Sequence, residues 1–254
     1  MKENNAAKIG IIGTGFVGGG LKQTIEAFSD MDVACVLTRR NLGSFNHDKV
    51  YTKSVQELID KSDLVVECNG DPVYATDILR KVLEAGIPVV TMNAELHITA
   101  GSYLSTKGLI TEAEGDQPGA LAAMNRNLVS MGFKPLVYGN LKGFLNLNPT
   151  VEEMEYWSEA QGISLEQVVG FTDGTKVNIE QALVANGLGA VITKQGMHGV
   201  ESECIITDSK KLASKAKSLG QPISDYLLQS PRASEKFPAG VFITAEYDEE
   251  QASA

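Results

Sequence analysis

The sequence is poor in the features that define disulfide-stabilised, nucleic-acid-binding and membrane proteins. It has three cysteines in 254 residues, and Cys35, Cys68 and Cys204 are too far apart for a disulfide framework or a structural zinc site. Basic residues number 22 against 32 acidic ones, and the net charge of −10 disfavours binding to nucleic acid or to an anionic membrane. The low numbers of cysteines and basic residues predict a soluble protein from a reducing, cytoplasmic setting, with a small molecule as its partner.

Signals for a membrane, for export and for a metal are also missing. No apolar run reaches the length of a membrane span, and the polar start MKENNAAKIG lacks the apolar core of a signal peptide. The histidines His47, His97 and His198 stand alone in the sequence, and none has the His/Cys spacing of a metal site. The sequence therefore predicts no metal, no membrane and no nucleic acid.

Strand and helix patterns alternate through the first half of the chain. Strands are expected at residues 8–12, 31–38, 63–68, 88–91 and 109–112, and helices at 16–28, from Ser54, at 74–85 and at 118–131. The strands are apolar on both faces, which is typical of a parallel sheet covered by helices on both sides. The first part is predicted to be an α/β domain with a doubly wound parallel sheet.

The pattern changes near residue 140, where residues 139–149 are rich in Gly, Asn and Pro. Helices are expected from Thr150 and Ser164, each with a capping box, and at residues 176–186 and 210–217. Short strands are expected at 204–207 and 240–245. This mixture predicts a smaller α+β domain over residues 141–254, after a first domain over residues 1–140.

A glycine-rich turn follows the first strand and precedes the first helix. Its spacing is GxGxxG, in which the first glycine permits the tight turn, the second lets a pyrophosphate approach, and the third lets the helix pack on the strand. The helix N-terminus adds free N–H groups for the anion. The sequence therefore predicts a Rossmann dinucleotide-binding domain over residues 1–140. The predicted pyrophosphate contacts are Gly13, Thr14, Gly15, Phe16, Val17 and Gly18.

The end of the second strand indicates which dinucleotide binds. Domains that bind NAD place a carboxylate there for the ribose 2′-hydroxyl, whereas this sequence has Thr38, Arg39 and Arg40. Two guanidinium groups and a hydroxyl suit a 2′-phosphate. We therefore expect NADP(H) rather than NAD. The alternative is that these arginines are solvated loop charges.

Polar residues follow the later strands of the predicted sheet. Because ligands bind at the carboxyl ends of parallel strands, these loops are expected to border the nicotinamide and its ribose. The cofactor candidates are Asn69, Gly70, Asn93 and Ala94. Glu95 and Asp116 are candidates for contact with the substrate.

Several segments resemble known families. KIGIIGTGFVG, DLVVECNGDP and GIPVVTMNAE resemble the cofactor domain of homoserine dehydrogenases. GDQP at 115–118, GNLKGF around Lys142, FTDGTK at 171–176 and GVFITAE at 240–246 resemble a homoserine-dehydrogenase-like family with a C-terminal SAF domain. That family includes a reductoisomerase-like enzyme acting on deoxyxylulose 5-phosphate. The resemblance implies hydride transfer between NADP(H) and a small hydroxy or keto compound, or reductoisomerase chemistry on a sugar phosphate.

The sequence departs from these families in two respects. Members of the SAF-containing family continue past the GVF segment, so we expect this chain to be a short or truncated member. Homoserine dehydrogenases carry an Asp and a Lys one turn apart in a longer helical motif, whereas Asp173 and Lys176 are three residues apart in a DGTK context. Asp173 and Lys176 therefore resemble the Asp and Lys of homoserine dehydrogenases in role, but they do not match them position by position.

Lysines beyond the cofactor domain are the candidates for handling the alcohol proton. A lysine can donate to the carbonyl oxygen and stabilise a developing alkoxide. The catalytic candidates are Lys176, Asp173, Lys142, Glu95 and Asp116, with Asp173 expected to pair with Lys176 on the first turn of a helix. Related folds lead us to expect a homodimer. The alternative function is a non-catalytic NADP-binding sensor or partner subunit, which the end of the chain soon after Glu246 favours.

Overall fold

The computed structural model describes residues 6–46, 48–115 and 117–247. Two predicted features, the candidate Asp116 and the isolated His47, lie outside the described residues. The chain divides into two compact units, one ending at Ala113 and one beginning at Glu114. Each unit has its own sheet.

The first unit is a parallel sheet of six strands with helices between them. The strands are β1 (Ala7–Ile12), β2 (Met31–Leu37), β3 (Tyr51–Thr52), β4 (Leu64–Glu67), β5 (Val89–Thr91) and β6 (Ile110–Glu112). The helices are α1 (Phe16–Glu26), α2 (Val55–Lys61), α3 (Pro72–Glu84), α4 (Ala94–Leu96) and α5 (Ser102–Leu104), with a π turn at His97–Gly101. The strand order is β3-β2-β1-β4-β5-β6, so the order reverses between β1 and β4. Ligands bind at such a reversal in doubly wound sheets.

Both faces of this sheet are buried, as the apolar strands predict. Along β1, Ile12 packs in the core cluster that contains Leu58 and Leu79. Its neighbour Ile11 packs in a second cluster with Ile25 of α1. Alternate residues of one strand therefore face different helices, which is the arrangement expected of a parallel sheet covered on both sides.

The second unit is built on a mixed sheet of four strands. The strands are β7 (Phe133–Lys142), β8 (Val200–Ser202), β9 (Ile223–Gln229) and β10 (Gly240–Tyr247) in the order β10-β7-β9-β8. Only β10 pairs antiparallel with its neighbour. The helices are α6 (Gln117–Ser130), α7 (Val151–Gln161), α8 (Leu165–Thr172), α9 (Thr175–Leu188) and α10 (Ile205–Leu219). The predicted capping boxes start α7 at Thr150 and α8 at Ser164.

Close packing of β7 on β10 requires a glycine. A Cβ on Gly139 would lie 2.1 Å from the ring of Phe242, its register partner on the neighbouring strand. The missing side chain therefore makes room for the aromatic ring, and Phe242 packs against the core formed by β7, β9 and α10.

The structure differs from the sequence prediction at several places in the second unit, which include the strands β8 and β9 that were not predicted. The division between the units falls at Ala113 rather than near residue 140, because α6 packs against β7, α9 and β10. The central strand β7 begins at Phe133, before the glycine-rich segment that suggested a new domain. Residues 204–207, predicted as a strand, form the cap and first turn of α10, because the helix buries Leu212 and Ala216 further along. In the described part of the chain, no helix is both long and apolar enough to cross a membrane.

Candidate cofactor site and lysine cluster

The turn between β1 and α1 depends on two of its glycines for steric reasons. Gly13 has a φ of +108°, and a Cβ there would lie 2.8 Å from the carbonyl oxygen of Cys68. A Cβ on Gly18 would lie 2.3 Å from the carbonyl oxygen of Gly13. Gly13 thus permits the left-handed turn beside the end of β4, and Gly18 lets α1 approach β1 closely.

The middle glycine of the motif faces open space. A Cβ on Gly15 would meet no atom within 4 Å, and Gly15 caps α1 without a side-chain hydrogen bond. The first turn of α1 contains no acidic residue. Its N–H groups and positive helix end are therefore available to an anion. Phe16 and Val17, which are 91% and 44% exposed, border this opening. The residues present fit a dinucleotide pyrophosphate.

A hydroxyl pair and two arginines follow the end of β2. Thr38 is buried, and its Oγ1 lies 3.0 Å from Oγ1 of Thr14 and accepts from the backbone N–H of Arg40. Arg39 donates to Asp71 at 3.0 Å, and its guanidinium stacks over the ring of Tyr74 at 4.5 Å. Thr14 and Thr38 thus join the turn after β1 to the end of β2, and Arg39 joins the end of β2 to α3.

Asp71 is the carboxylate that pairs with Arg39. It caps α3, and the backbone N–H of Tyr74, followed by Arg39, lowers the pKa of its side chain. Among the described residues, Arg40 has no ion-pair partner. Arg39 is therefore engaged with Asp71, whereas the described chain gives Arg40 no carboxylate partner.

The loops after β4 and β5 are joined to each other. Asn93 donates through Nδ2 to the carbonyl oxygen of Asn69 at 2.7 Å, and its Oδ1 caps α4 by accepting from the N–H of Leu96. Ala94 is fully buried in the first turn of α4, and Gly70 lies in the loop before α3. The structure therefore brings together the two predicted cofactor loops.

A buried glutamate at the end of β4 was not predicted as a functional residue. Glu67 is fully buried and accepts hydrogen bonds of 2.6 Å from Oγ1 of Thr91 and from the N–H of Asn69. Burial raises the pKa of its carboxyl group to about 7. The available signal was an acidic residue closing the apolar run DLVVE at the carboxyl edge of the sheet, where ligands bind.

Two further acidic residues lie at the same edge of the sheet. Glu112 ends β6 and forms an ion pair with His97 in the π turn. Glu95, a predicted substrate contact, is half-buried in α4, and its backbone carbonyl accepts from Oγ1 of Thr99. Glu95 therefore lies beside the predicted cofactor loops.

The second unit gathers the two predicted lysines around one buried carboxylate. Lys142 ends β7, and Lys176 lies in the first turn of α9. Their Nζ atoms lie 3.5 Å and 3.8 Å from the two carboxylate oxygens of Glu180, which is fully buried. Asn140 donates to Glu180 at 2.9 Å. We call Lys142, Lys176, Glu180 and Asn140 the lysine cluster. Sequence reasoning missed Glu180, although it lies one helical turn after Lys176.

The predicted pairing of Asp173 with Lys176 is not formed. The helix α9 is capped by Gly174, which has a φ of +87°, so Asp173 lies before the helix rather than on its first turn. Its Oδ1 accepts from the N–H of Thr175 at 2.8 Å. Lys176 instead pairs with Glu180 and lies 5.0 Å from the ring centre of Phe171. Asp173 shapes the start of α9 but does not hold the lysine.

No group of three or more metal-ligating side chains is found among the described residues.

The first unit has the strand order and glycine turn of a dinucleotide-binding α/β domain, and the second unit has the lysine cluster around the buried Glu180. Residues 115–254 match the family model described as oxidoreductase DRL, catalytic domain. Residues 9–107 match the model described as homoserine dehydrogenase, NAD binding domain. The chain belongs to the oxidoreductase DRL family.

Solved structures align with the chain at low sequence identity. A hyperthermophilic archaeal homoserine dehydrogenase in complex with NADPH aligns with a TM-score of 0.51 and 17% identity, over 70% of this chain and 68% of that one. An oxidoreductase structure, yvaA from Bacillus subtilis, aligns with a TM-score of 0.41 and 15% identity, over 59% of this chain. The chain spans about half the length of this and similar oxidoreductase structures, at 47% and 45%. A comparison with curated proteins gives no match.

Proposed function

We propose that the protein is an NADP-dependent oxidoreductase that transfers a hydride between NADP(H) and a small hydroxy or keto compound. The observation that carries this proposal is the open, uncapped N-terminus of α1 at Gly15, beside the sterically required Gly13 and Gly18. Membership of an oxidoreductase family supports it. A sugar phosphate is the more specific substrate class that we propose within this reaction type.

The first unit supplies the groups that would hold the cofactor. The N–H groups of the first turn of α1 suit the pyrophosphate, and the joined loops at Asn69 and Asn93 suit the nicotinamide end. The nicotinamide, when bound, supplies the hydride chemistry itself. The protein contributes orientation, a dry surface and a group for the proton.

The preference for the phosphorylated cofactor rests on the residues after β2. Thr38, Arg39 and Arg40 provide a hydroxyl and two guanidinium groups, and none of them is a carboxylate that would bind a 2′-hydroxyl. A guanidinium binds phosphate through two parallel hydrogen bonds. Arg40 is the residue that we expect to contact the 2′-phosphate directly, since Arg39 is engaged by Asp71.

The lysine cluster is the proposed site of proton handling. Two ammonium groups share one carboxylate, so the cluster carries a surplus positive charge. Such a charge stabilises a developing alkoxide, and either lysine can donate a proton to a carbonyl oxygen. Glu180 positions both lysines, and Asn140 fixes Glu180 in turn. Glu95 is retained as a proposed substrate contact.

The substitution Gly15→Ala tests the cofactor proposal. The new methyl group meets no protein atom within 4 Å, and the backbone of Gly15, with φ −77° and ψ −167°, is allowed for alanine. The variant should therefore fold, while the methyl group occupies the space that the pyrophosphate needs. We expect at least a 10-fold rise in the Kd for NADPH, measured by fluorescence titration, because one displaced charged hydrogen bond corresponds to about 1.5–3 kcal/mol.

Gly20→Ala is the matched control, since a Cβ there also meets no atom within 4 Å. Equal NADPH binding by both variants would refute the proposed cofactor site. Turnover on aldehydes, ketones and sugar phosphates then tests the enzyme proposal. NADPH binding without any turnover, in the protein and in its Lys176→Ala variant alike, would favour the non-catalytic alternative.

We also propose a homodimer formed through the second unit. Exposed apolar side chains are concentrated between residues 144 and 171, among them Phe144, Leu147, Tyr156 and Trp157, which are 60%, 65%, 64% and 40% exposed. A contiguous exposed apolar patch marks an interaction surface in a protein, and we propose that these side chains contribute to one. Light scattering should give twice the chain mass of 27.2 kDa, and a monomer at micromolar concentration would contradict the proposal.

A further inference from the structure

Two buried polar residues face each other at the carboxyl ends of β4 and β5. Glu67 and Thr91 are register partners on these parallel strands, and neither is exposed to solvent. Each is the last residue of its strand. The loops that follow them contain Asn69 and Asn93, which we propose border the nicotinamide end of the cofactor.

Four hydrogen bonds join these residues into a closed ring. Thr91 Oγ1 donates to Glu67 at 2.6 Å, and the N–H of Asn69 donates to the other carboxylate oxygen at 2.6 Å. The N–H of Asn93 donates to Thr91 Oγ1 at 3.0 Å, and Nδ2 of Asn93 donates to the carbonyl oxygen of Asn69 at 2.7 Å. We call these four residues the loop ring. Glu67 accepts from Asn69 in the loop after β4 and from Thr91 at the end of β5, so it connects the two loops.

The ionisable groups facing Glu67 are few and come from neighbouring elements. His97 from the π turn favours the charged form of Glu67, and it is itself paired with Glu112 of β6. Cys68 is adjacent in the chain, and burial, followed by the charge of Glu67, raises the pKa of its thiol to about 12. From β5, only the neutral groups of Thr91 and Asn93 face the carboxylate. Burial dominates over all of these and raises the pKa of Glu67 to about 7.

A buried carboxylate without a cationic hydrogen-bond donor is costly to the fold. An apolar residue could fill this core position at lower cost. The hydrogen-bond donors around Glu67 are therefore the feature that accounts for a carboxylate at this position. We propose that Glu67 is a positioning residue whose ionised carboxylate locks the loops after β4 and β5 in the arrangement that binds the nicotinamide end of the cofactor. This inference rests on the proposed cofactor function.

Protonation would weaken the ring for a geometric reason. Both carboxylate oxygens act as acceptors, one for an N–H and one for a hydroxyl. A protonated carboxyl has one O–H donor, which must point at a group that already donates to it. The hydroxyl of Thr91 can reverse, but its hydrogen then loses its acceptor. The bond between Glu67 and Thr91 then runs in the reverse direction, and the buried hydroxyl hydrogen of Thr91 is left without an acceptor in the ring, which weakens the hold on both loops.

Glu67→Gln matches the protonated state in shape and in the absence of charge, although its amide brings two N–H donors where the protonated carboxyl has one. The first measurement uses the protein without cofactor, by NMR hydrogen exchange at the amides of Asn69 and Asn93 between pH 6 and pH 8. We expect the protection of these amides, corrected for intrinsic rates, to rise about 10-fold with pH, because one hydrogen bond corresponds to about 1 kcal/mol or more. In Glu67→Gln the protection should be low and independent of pH.

The second measurement is the Kd for NADPH over the same pH range. We expect binding by the unmodified protein to tighten about 10-fold from pH 6 to pH 8 relative to Glu67→Gln, since ordered loops need not be ordered on binding. The matched control is Glu57→Gln, which removes a carboxylate that also accepts from a threonine hydroxyl, at Thr52. Its pH profile should equal that of the unmodified protein, because the pKa of Glu57 lies below its usual value.

The outcomes separate this inference from the proposed function. If the amides of Asn69 and Asn93 are equally protected in Glu67→Gln and in the unmodified protein at pH 8, the inference is overturned. If protection follows Glu67 but NADPH does not bind, the loop ring is correct and the cofactor proposal fails. Should Glu67→Gln not fold, Thr91→Val and Thr91→Ser replace it. Valine should lower the protection at Asn69 and Asn93, and serine should restore it; equal protection in both would refute the ring.

Discussion

The two units each bury a glutamate completely, but they surround it differently. In the second unit, Glu180 meets two lysines and an asparagine. In the first unit, Glu67 meets a hydroxyl and a backbone N–H, and among the described residues no cation donates a hydrogen bond to it. One carboxylate is compensated by two lysines at ion-pair distance, and the other mainly by neutral donors, with a smaller contribution from the charge of His97. The difference indicates that Glu180 holds two charged side chains in place, whereas Glu67 holds the backbone of the loops after β4 and β5.

The largest effect that would test this comparison comes from Glu180→Ala. The substitution leaves Lys142 and Lys176, each 19% exposed, facing each other's charge without a carboxylate between them. Breaking a buried ion pair in this way costs about 3–5 kcal/mol, and the exposure of the lysines places the expected loss near the lower end. Urea unfolding measures it. A loss below about 1 kcal/mol would mean that the cluster is solvated.

The next effect is the pH dependence of stability caused by Glu67. Its pKa rises from 4.5 in the unfolded chain to about 7 in the fold, so the folded state holds the proton more tightly. For global unfolding, which returns the carboxyl group to water, this contribution to stability is complete below pH 4.5 and is lost as the pH rises through 7, by about 3 kcal/mol at 1.36 kcal/mol per pKa unit. The hydrogen-bond donors of the loop ring act in the opposite sense, because they favour the ionised form. The difference in unfolding free energy between the protein and Glu67→Gln, measured from pH 4.5 to pH 8, should show this slope. A pH-independent difference would contradict it.

Gly18→Ala extends the comparison by testing how far the stability of the first unit depends on close packing of its backbone. The new Cβ would lie 2.3 Å from the carbonyl oxygen of Gly13, so α1 must shift. We expect a loss of about 1–3 kcal/mol, as for overpacking elsewhere, measured by thermal unfolding. Gly15→Ala is the control, with a loss of only a few tenths of a kcal/mol, since it meets open space. Similar losses in the two variants would refute the steric argument.

The smallest effect concerns Arg40, a cation of the first unit for which the described chain provides no carboxylate partner. Arg40→Ala should weaken NADPH binding about 10-fold, because a charged hydrogen bond contributes about 1.5 kcal/mol or more. The Kd for NADH should stay the same, since NADH lacks the 2′-phosphate. Isothermal titration with both cofactors measures this. Equal weakening for NADPH and NADH would show that Arg40 acts on the fold of the loop rather than on the phosphate.

The parts that the sequence predicted well are those in which local signals agree. The glycine turn lies between a strand and a helix, as the motif requires, and the paired loops at Asn69 and Asn93 follow from the edge rule for parallel sheets. The two predicted lysines also lie around one carboxylate, Glu180, and their catalytic role stays a prediction. That glutamate lies in a helix whose apolar and polar residues show no clear face, so its burial could not be predicted from periodicity.

The errors arise where local preference and tertiary packing disagree. The run CIIT at residues 204–207 favours a strand by its β-branched residues, but the packing of Leu212 and Ala216 extends a helix back to Ile205. The strand β7 ends in GNLK, which is typical of a loop, yet Gly139 is there to admit Phe242. Asn140 and Lys142 follow Gly139 in the same strand, so they too lie in β7 rather than in a loop.

The chain contains one tryptophan, and its place in the second unit has a practical consequence. Trp157 lies on α7, where it is 40% exposed and its ring contacts Tyr156 edge to face. Its emission therefore reports on the second unit alone, whereas the fluorescence of bound NADPH would report on the first. The two signals followed during one denaturant titration would show whether the units unfold together or in sequence, with no label added to the protein.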